Sequence, residues 1–243
     1  MLKEIKKMIP KKIRKDIKLK LSDRKADNQQ KLWVRKYGHK PKIFGIGNNK
    51  TGTTSLKMAM EDLGYKIGDQ RKAELLHQEW AQRNFKPIIE YCKTAEFFQD
   101  FPFSKPFTFV ALDQAFPKSK FILTVRDDAE QWYNSLTKFH SKLWGKRGRI
   151  PTQEDLQQAT YITKGRPWEM KLINNITPND DPYNKELLIQ SYIDYNNSVL
   201  NYFSHRPEDL LVLNVADKSA YRKLCEFLNQ PVIQEEFPWI NKT

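Results

Sequence analysis

Hydrophobic residues recur along this chain in two different patterns. Four short apolar runs, each bounded by polar or turn-forming residues, have the composition of buried strands. Between them lie segments in which apolar residues return every three or four positions, as on one face of a helix. The strand runs are residues 42–47, 95–99, 120–125 and 209–215, and the main helical segments are 55–63, 73–89, 111–116, 130–144, 183–203 and 219–228. A bend near Pro87 allows a second short helix over residues 85–91. This alternation over 243 residues predicts one α/β domain with appendages.

The charge of the chain is concentrated at its N-terminus. Residues 1–42 contain 16 of the 42 Lys and Arg residues and 4 of the 29 Asp and Glu residues, so the net charge of +13 falls to +1 over the remainder. A nearly neutral body argues against a nucleic-acid partner. We therefore expect a basic N-terminal extension at residues 1–41 and a separate α/β domain at residues 42–243.

The N-terminal extension has apolar residues at helical spacing among its lysines. A basic amphipathic helix over residues 1–21 can lie on an anionic membrane surface, which is one interpretation of this pattern. A solvated arm, or a helix packed against the body, are the others. The polar stretch from Asp23 to Gln30 predicts a linker. No apolar run reaches transmembrane length and lysines interrupt any signal-peptide core, so we expect a cytoplasmic protein, peripheral to the inner face of a membrane if the helix binds there.

Residues 42–56 contain the most informative pattern in the chain. An apolar run leads into Gly47, a polar loop follows, and a helical segment begins near Ser55. A strand, a loop and a helix N-terminus in this order direct backbone N–H groups and the positive end of a helix dipole at one point, which suits a phosphate. The Walker A pattern of nucleoside triphosphatases fits except that Thr53 stands where its lysine should be. A lysine, Lys50, lies earlier in the loop instead.

The sequence Lys50-Thr51-Gly52-Thr53-Thr54 resembles the 5′-phosphosulfate-binding loop of the sulfotransferases, which use 3′-phosphoadenosine 5′-phosphosulfate (PAPS) as donor. The alternative is an ordinary strand-to-helix turn. The resemblance implies that Lys50 is catalytic and neutralises charge on the leaving oxygen. It also implies that Thr51, Gly52, Thr53 and Thr54 hold the 5′-phosphate. The fold it implies is a three-layer α/β sandwich with a central parallel sheet, similar to that of P-loop NTPases.

A second pattern supports this resemblance. The strand run 120–125 is followed by Arg126, and the next helical segment carries Ser135. This is similar to the 3′-phosphate-binding motif of the sulfotransferases, in which an arginine makes paired, charge-assisted hydrogen bonds to the phosphate and a serine adds a hydroxyl. The spacing is one residue longer than is usual in the family, and an insertion at Asp127-Asp128 would absorb it. The alternative for Arg126 is a surface salt bridge with Asp127 or Asp128.

Asp100 directly follows the strand run 95–99. Ligands of open parallel sheets bind at the carboxyl ends of the strands, which is where Asp100 is expected. In the sulfotransferases, the base that takes the acceptor proton is often at the end of this strand, so the resemblance makes Asp100 the candidate general base. A turn-forming Asp before Pro102 is an equally open alternative.

The rest of the sequence narrows the chemistry. Two cysteines far apart and four histidines without ligand-like spacing predict neither a disulfide framework nor a metal site, and the resemblance requires no metal. Residues 141–170 are basic and polar. We expect a mobile surface loop there, although such a segment could also close over a nucleotide or grip an acidic acceptor.

Taken together, the resemblance implies transfer of a sulfuryl group from PAPS to an acceptor hydroxyl or, less in keeping with the pattern, an amine. The basic arm and the basic segment 141–170 suit a carbohydrate acceptor, such as a glycolipid or an acidic polysaccharide precursor. A small alcohol or phenol is the other acceptor class. Three rival functions stay open: a P-loop nucleotide kinase or NTPase, a non-catalytic nucleotide-binding module, and nucleic-acid binding through residues 1–42.

Overall fold

The computed structural model describes residues 11–238, and it describes side chains from residue 24 onward. Over this range strands and helices alternate as the hydrophobic pattern predicts. The strands are β1 (Ile43–Gly45), β2 (Phe97–Gln99), β3 (Lys120–Thr124), β4 (Thr160–Tyr161), β5 (Thr163–Lys164) and β6 (Leu210–Leu213). The helices are α1 (Lys11–Tyr37), α2 (Thr53–Asp62), α3 (Gln70–Glu74), α4 (His77–Ala81), α5 (Lys86–Cys92), α6 (Thr108–Ala115), α7 (Ala129–Trp144), α8 (Gln153–Gln158), α9 (Arg166–Asn174), α10 (Lys185–Tyr202) and α11 (Ala220–Leu228).

Four parallel strands form the central sheet, in the order β2-β1-β3-β6. In register, Phe44 of β1 lies between Phe98 of β2 and Phe121 of β3. Because the strands run the same way, their carboxyl ends meet at one edge of the sheet. The loop after β1 begins at this edge, and Asp100 and Arg126 lie near it because they follow β2 and β3. The sequence prediction of a central parallel sheet is confirmed.

A separate core covers each face of the sheet, because successive side chains on a strand point to opposite faces. On one face, Phe44 and Phe121 pack against each other, and Phe121 also packs against Phe203 at the end of α10. Helices α5, α6 and α10 cover this face. On the other face, Ile43 and Ile122 pack under α2 and α11. Helices on both sides of one sheet give the predicted three-layer sandwich.

Helix α1 corrects one prediction. It runs without a break from Lys11 to Tyr37, so the linker predicted from Asp23 to Gln30 is wrong. Residues 24–30 are exposed on a continuous helix, and the Lys, Arg, Ala and Gln residues in this stretch have good helix propensity. Tyr37 is buried, and its carbonyl accepts a hydrogen bond from the Lys42 ammonium, which fixes the end of α1 to the body.

The segment expected to contact a membrane, residues 1–21, lies partly outside the described residues. Residues 11–21 belong to α1, and residues 1–10 are not covered. Over residues 11–238, no helix combines the length and the apolar character needed to cross a bilayer. Membrane contact by this segment stays a prediction.

Two further predictions need correction. Residues 73–89 contain an earlier break than the bend expected near Pro87, because left-handed backbone at Arg83 (φ 58°) separates α4 from α5, and the short helix α3 lies before them. The second short helix expected over residues 85–91 is present as α5. Residues 141–170 are not a mobile loop. They contain the end of α7 and most of a folded insert, defined here as residues 145–182, which holds α8, the β4-β5 hairpin and α9. Local signals explain this folding, since Thr152 and Asp155 form a capping box on α8 and Leu156 is buried.

Candidate active site

The loop between β1 and α2 follows a path that two glycines make possible. Gly47 passes so close to Thr124 that a Cβ atom would lie 2.1 Å from the threonine hydroxyl oxygen. Gly52 has a φ of 99°, in the left-handed region, and a Cβ atom there would lie 2.3 Å from the Val215 side chain. A side chain at either position would push the loop away from the sheet edge. The backbone can therefore approach a ligand closely at this point.

Helix α2 begins directly after Gly52, and no described side chain caps its first N–H groups. Thr53 and Thr54, in its first turn, line a cavity at the sheet edge. Free N–H groups and hydroxyls at a helix N-terminus favour an anion. Thr51 differs from these threonines, because it is buried and its hydroxyl lies 2.6 Å from the Thr124 hydroxyl. Thr51 holds the loop against β3 and its hydroxyl does not face the cavity.

Lys50 also lines the cavity, from a left-handed backbone with a φ of 70°. Its ammonium lies 3.8 Å from the centroid of the Phe139 ring. Burial lowers the pKa of Lys50, and the nearby positive charge of Arg126 lowers it further. The face of an aromatic ring attracts a cation without occupying its N–H donors as an acceptor would, so the ammonium can still bind a ligand oxygen.

Arg126 lies at the end of β3, beside the loop. Its Nε donates a hydrogen bond to the Lys50 carbonyl at 2.7 Å, and a terminal guanidinium nitrogen lies 3.5 Å from the Ser135 hydroxyl. The structure therefore brings together the two motifs that the sequence separates by many residues. Ser135 is buried on the side of α7 that faces Arg126.

Asp127 and Asp128, between Arg126 and the start of α7, are held by hydrogen bonds. Asp128 caps the helix by accepting a hydrogen bond from a backbone N–H three residues further on, at 2.6 Å. Asp127 accepts a hydrogen bond from the Asn214 side chain at 2.5 Å. Both carboxylates thus have other partners, and the surface salt bridge considered for Arg126 does not describe this site.

Lys50 and Arg126 open into the same cavity, which has a volume of about 460 Å³. This volume is within the range of small-molecule and cofactor sites. A single ligand with two anionic groups can therefore contact the lysine loop with one group and the arginine with the other. This shared cavity decides against an arrangement in which the two residues open onto separate surfaces.

Trp132 and Tyr192 form an aromatic pair that supports the two motifs. Their rings are stacked, with centroids 4.6 Å apart and planes 14° apart. Trp132 donates a hydrogen bond to the Asn49 carbonyl at 3.0 Å, and the Tyr192 hydroxyl accepts one from the Arg126 N–H at 3.1 Å. The sequence analysis gave Trp132 no place in the site. Its position between Arg126 and Ser135 was the available signal.

A comparison with protein families matches residues 42–243 to a family described as a sulfotransferase domain. The chain belongs to the sulfotransferase domain family. The match covers both motifs, confirms the resemblance on which the sequence analysis depended, and supports sulfotransfer as the general activity. A comparison with curated proteins found no relative that matches the chain.

In this sulfotransferase domain Asp100 follows β2 with a left-handed backbone (φ 61°) and lines the cavity. Its carboxylate accepts a hydrogen bond from the Phe101 N–H at 3.0 Å. Burial raises the pKa of Asp100 and Glu74 raises it further, whereas Lys105 and Lys50 act to lower it. The turn and the cavity position of Asp100 are therefore compatible, and its role as general base stays a prediction.

His140 is a cavity residue that sequence reasoning missed. Its Nδ1 lies 2.8 Å from the Tyr183 hydroxyl, and burial together with the charge of Lys50 lowers the pKa of His140 to about 3. The imidazole is therefore neutral at neutral pH. The signal for His140 was its position one turn beyond Leu136 on the inward face of α7.

The insert closes the other end of the cavity. Arg166, at the start of α9, is buried and donates a hydrogen bond to the Glu74 carbonyl at 2.7 Å. A second guanidinium nitrogen lies 2.8 Å from His77. These contacts attach the insert to α3 and α4, so its position relative to the sheet is fixed. Among the described side chains, no group of three or more His, Cys, Asp or Glu residues is arranged to hold a metal ion.

Proposed function

We propose that this sulfotransferase domain transfers a sulfuryl group from PAPS to an acceptor hydroxyl. The observation that carries the proposal is the shared cavity, into which the lysine loop and Arg126 both open while Arg126 holds the Lys50 carbonyl at 2.7 Å. In this reaction the acceptor oxygen forms a bond to sulfur, the bond from sulfur to the 5′-phosphate oxygen breaks, and the acceptor proton is released.

The residues present suit the donor. The glycine path of the loop and the uncapped first turn of α2 leave room and N–H donors for the 5′-phosphate, to which Gly52, Thr53 and Thr54 would contribute. Arg126 and Ser135 would hold the 3′-phosphate, with the guanidinium making paired hydrogen bonds. A donor without a 3′-phosphate would leave this arginine without its partner, which gives selection against ATP.

Lys50 and Asp100 would perform the chemistry. The Lys50 ammonium would stabilise negative charge on the departing phosphate oxygen, because a fixed charge in a partly dry cavity acts strongly on developing charge. The Asp100 carboxylate would accept the proton of the acceptor hydroxyl. Its raised pKa makes the ionised carboxylate a better base than an exposed aspartate.

Two measurements test this function. In competition binding, adenosine 3′,5′-bisphosphate, the product form of the donor, should displace a labelled nucleotide at a concentration at least tenfold lower than ATP does. In a transfer assay with ³⁵S-labelled PAPS, the label should move to an acceptor. Tighter binding of ATP would favour a P-loop kinase or NTPase, and nucleotide binding without transfer to any acceptor would favour a non-catalytic module.

Two parts of the proposal concern the surroundings of the reaction. The acceptor class depends on the other end of the cavity. The charge pattern suits a carbohydrate or glycolipid, and a small alcohol or phenol is the alternative.

For residues 1–21, we propose peripheral contact with the inner face of a membrane in a cytoplasmic protein. Co-sedimentation of the whole chain with phosphatidylserine vesicles, and not with phosphatidylcholine vesicles, is the expected result. Equal recovery with both would contradict it.

A further inference from the structure

Several large apolar side chains from the second half of α7 and from the insert line the cavity. Helix α7 contributes Phe139 and Leu143, and the insert contributes Leu156, Ile162 and Met170. Phe139, Leu143 and Ile162 are 36%, 49% and 38% exposed, which is high for large apolar side chains. Because they converge on one concave surface, they form an apolar patch of the kind that marks a ligand site.

Three polar side chains on this wall are already paired with the protein. The Tyr161 hydroxyl donates a hydrogen bond to the Glu74 carboxylate at 2.8 Å, and Arg166 donates to the Glu74 carbonyl at 2.7 Å. Lys171 donates to the Asn179 side chain at 2.5 Å. A sugar presents a hydroxyl on almost every ring carbon and loses affinity wherever one is buried without a partner. Tyr161, Arg166 and Lys171 therefore offer a sugar fewer free partners than their number suggests.

The groups that can act on a hydroxyl lie together at the junction of the two ends. Lys50 contacts the Phe139 ring, and its charge influences the pKa of both Asp100 and His140. An acceptor that reaches this junction from the apolar end would present one oxygen to Lys50 and Asp100. The rest of such an acceptor would lie against Leu143 and the insert.

We propose that the acceptor is a predominantly apolar phenol or alcohol with its reactive hydroxyl at Lys50 and Asp100, and not a carbohydrate. This inference rests on the proposed function, because it identifies the acceptor for the same site. It replaces the carbohydrate acceptor suggested by the basic residues. Those residues lie mainly outside the cavity wall, whereas the wall itself determines what fits.

The experiment measures acceptor binding and donor binding separately. Protein saturated with adenosine 3′,5′-bisphosphate is titrated with 2-naphthol, with methyl β-galactopyranoside and with an unsulfated chondroitin oligosaccharide. The same titrations are made on Leu143→Asp and on Leu200→Asp. Leu200 is a matched control, because it is 43% exposed on α10 and does not line the cavity. Binding of the bisphosphate alone is measured for all three proteins.

We expect 2-naphthol to bind at least tenfold more tightly than either carbohydrate probe. Leu143→Asp should weaken naphthol binding at least tenfold and leave bisphosphate binding unchanged, and Leu200→Asp should change neither. Tighter binding of a carbohydrate, no naphthol binding at millimolar concentration, or equal loss in both variants would overturn the acceptor assignment. Failure of wild-type protein to bind the bisphosphate would overturn the proposed function itself, so the two failures are distinguishable.

Discussion

The two ends of the cavity are built in different ways. At the end proposed to bind the donor, backbone geometry dominates, since Gly47 and Gly52 set the path of the loop and the Lys50 carbonyl is held by Arg126. At the acceptor end, the walls are side chains from the second half of α7 and from the insert. A backbone cradle recognises a phosphate whatever surrounds it, whereas an apolar wall selects by shape. If the two ends bind donor and acceptor as proposed, the two kinds of recognition can change independently in this domain.

The largest expected effect follows from removing the positive charge of Lys50 at the junction of the two ends. Lys50→Ala should lower kcat about 10²- to 10³-fold, the loss that follows removal of one preorganised donor to developing charge. Bisphosphate binding should change much less than kcat. The measurement is kcat in the labelled-PAPS assay, with the melting temperature of the variant as a folding check.

Lys138→Ala is the matched control for this variant. Lys138 is an exposed lysine on α7 that does not line the cavity, so its removal should leave kcat within about twofold of wild type. Unchanged turnover in Lys50→Ala would contradict the proposed role of Lys50 in the chemistry.

The second prediction uses the pH dependence of the rate to distinguish the proposed general base from the residues that only bind ligands. Asp100→Asn should lower kcat by about a hundredfold, within the usual range for loss of a general base. In wild type, the pKa of Asp100 is raised from 3.8 and that of Lys50 is lowered from 10.5. Rate should therefore rise with pH through the Asp100 pKa, above 3.8, and fall again through the Lys50 pKa, below 10.5.

The variant should lose the acidic limb of this profile and keep the basic limb. Folding of Asp100→Asn should not be impaired at pH 7. A carboxyl whose pKa is higher in the folded state binds its proton more tightly there, so ionisation of Asp100 reduces stability as pH rises. An acidic limb that survives in Asp100→Asn would assign the proton to another group, such as His140.

The third prediction tests whether Arg126 recognises the 3′-phosphate of the donor. Arg126→Lys should weaken binding of adenosine 3′,5′-bisphosphate about tenfold or more, because a lysine cannot make the paired hydrogen bonds of a guanidinium. Binding of adenosine 5′-monophosphate, which lacks the 3′-phosphate, should change by less. The ratio of the two dissociation constants, measured calorimetrically, is the readout. Equal losses for both nucleotides would place Arg126 in loop support and not in 3′-phosphate recognition.

The smallest expected effect tests the backbone part of the cradle. Gly52→Ala and Gly64→Ala both place a Cβ atom on left-handed backbone, which costs about 1–2 kcal/mol in each case. Only at Gly52 would that atom also collide with Val215, at 2.3 Å, whereas nothing lies within 4 Å at Gly64. Gly52→Ala should therefore reduce the free energy of unfolding more, and it alone should weaken bisphosphate binding. Denaturant titration and calorimetry measure the two effects.

Much of the fold was predictable because its signals are local. The apolar runs around Phe44 and Phe121 and the helical periodicity after them fixed strands and helices that the structure confirms. The errors occurred where a local signal was weak. Polar residues 23–30 have no apolar face, yet they continue α1, and the segment after α7 lacks strong periodicity although capping residues fold it.

The candidate residues of the donor end could be predicted from the sequence, because the lysine loop and the arginine are each short motifs whose chemistry follows from neighbouring residues. The residues that form the wall of the acceptor end could be identified only from the tertiary structure. Phe139, Leu156 and Met170 come together there because Arg166 attaches the insert to Glu74, and Thr51 turns away from the cavity because Thr124 holds its hydroxyl. Contacts between residues far apart in the chain produce no local sequence pattern. The shape of that wall could therefore not be predicted from the sequence.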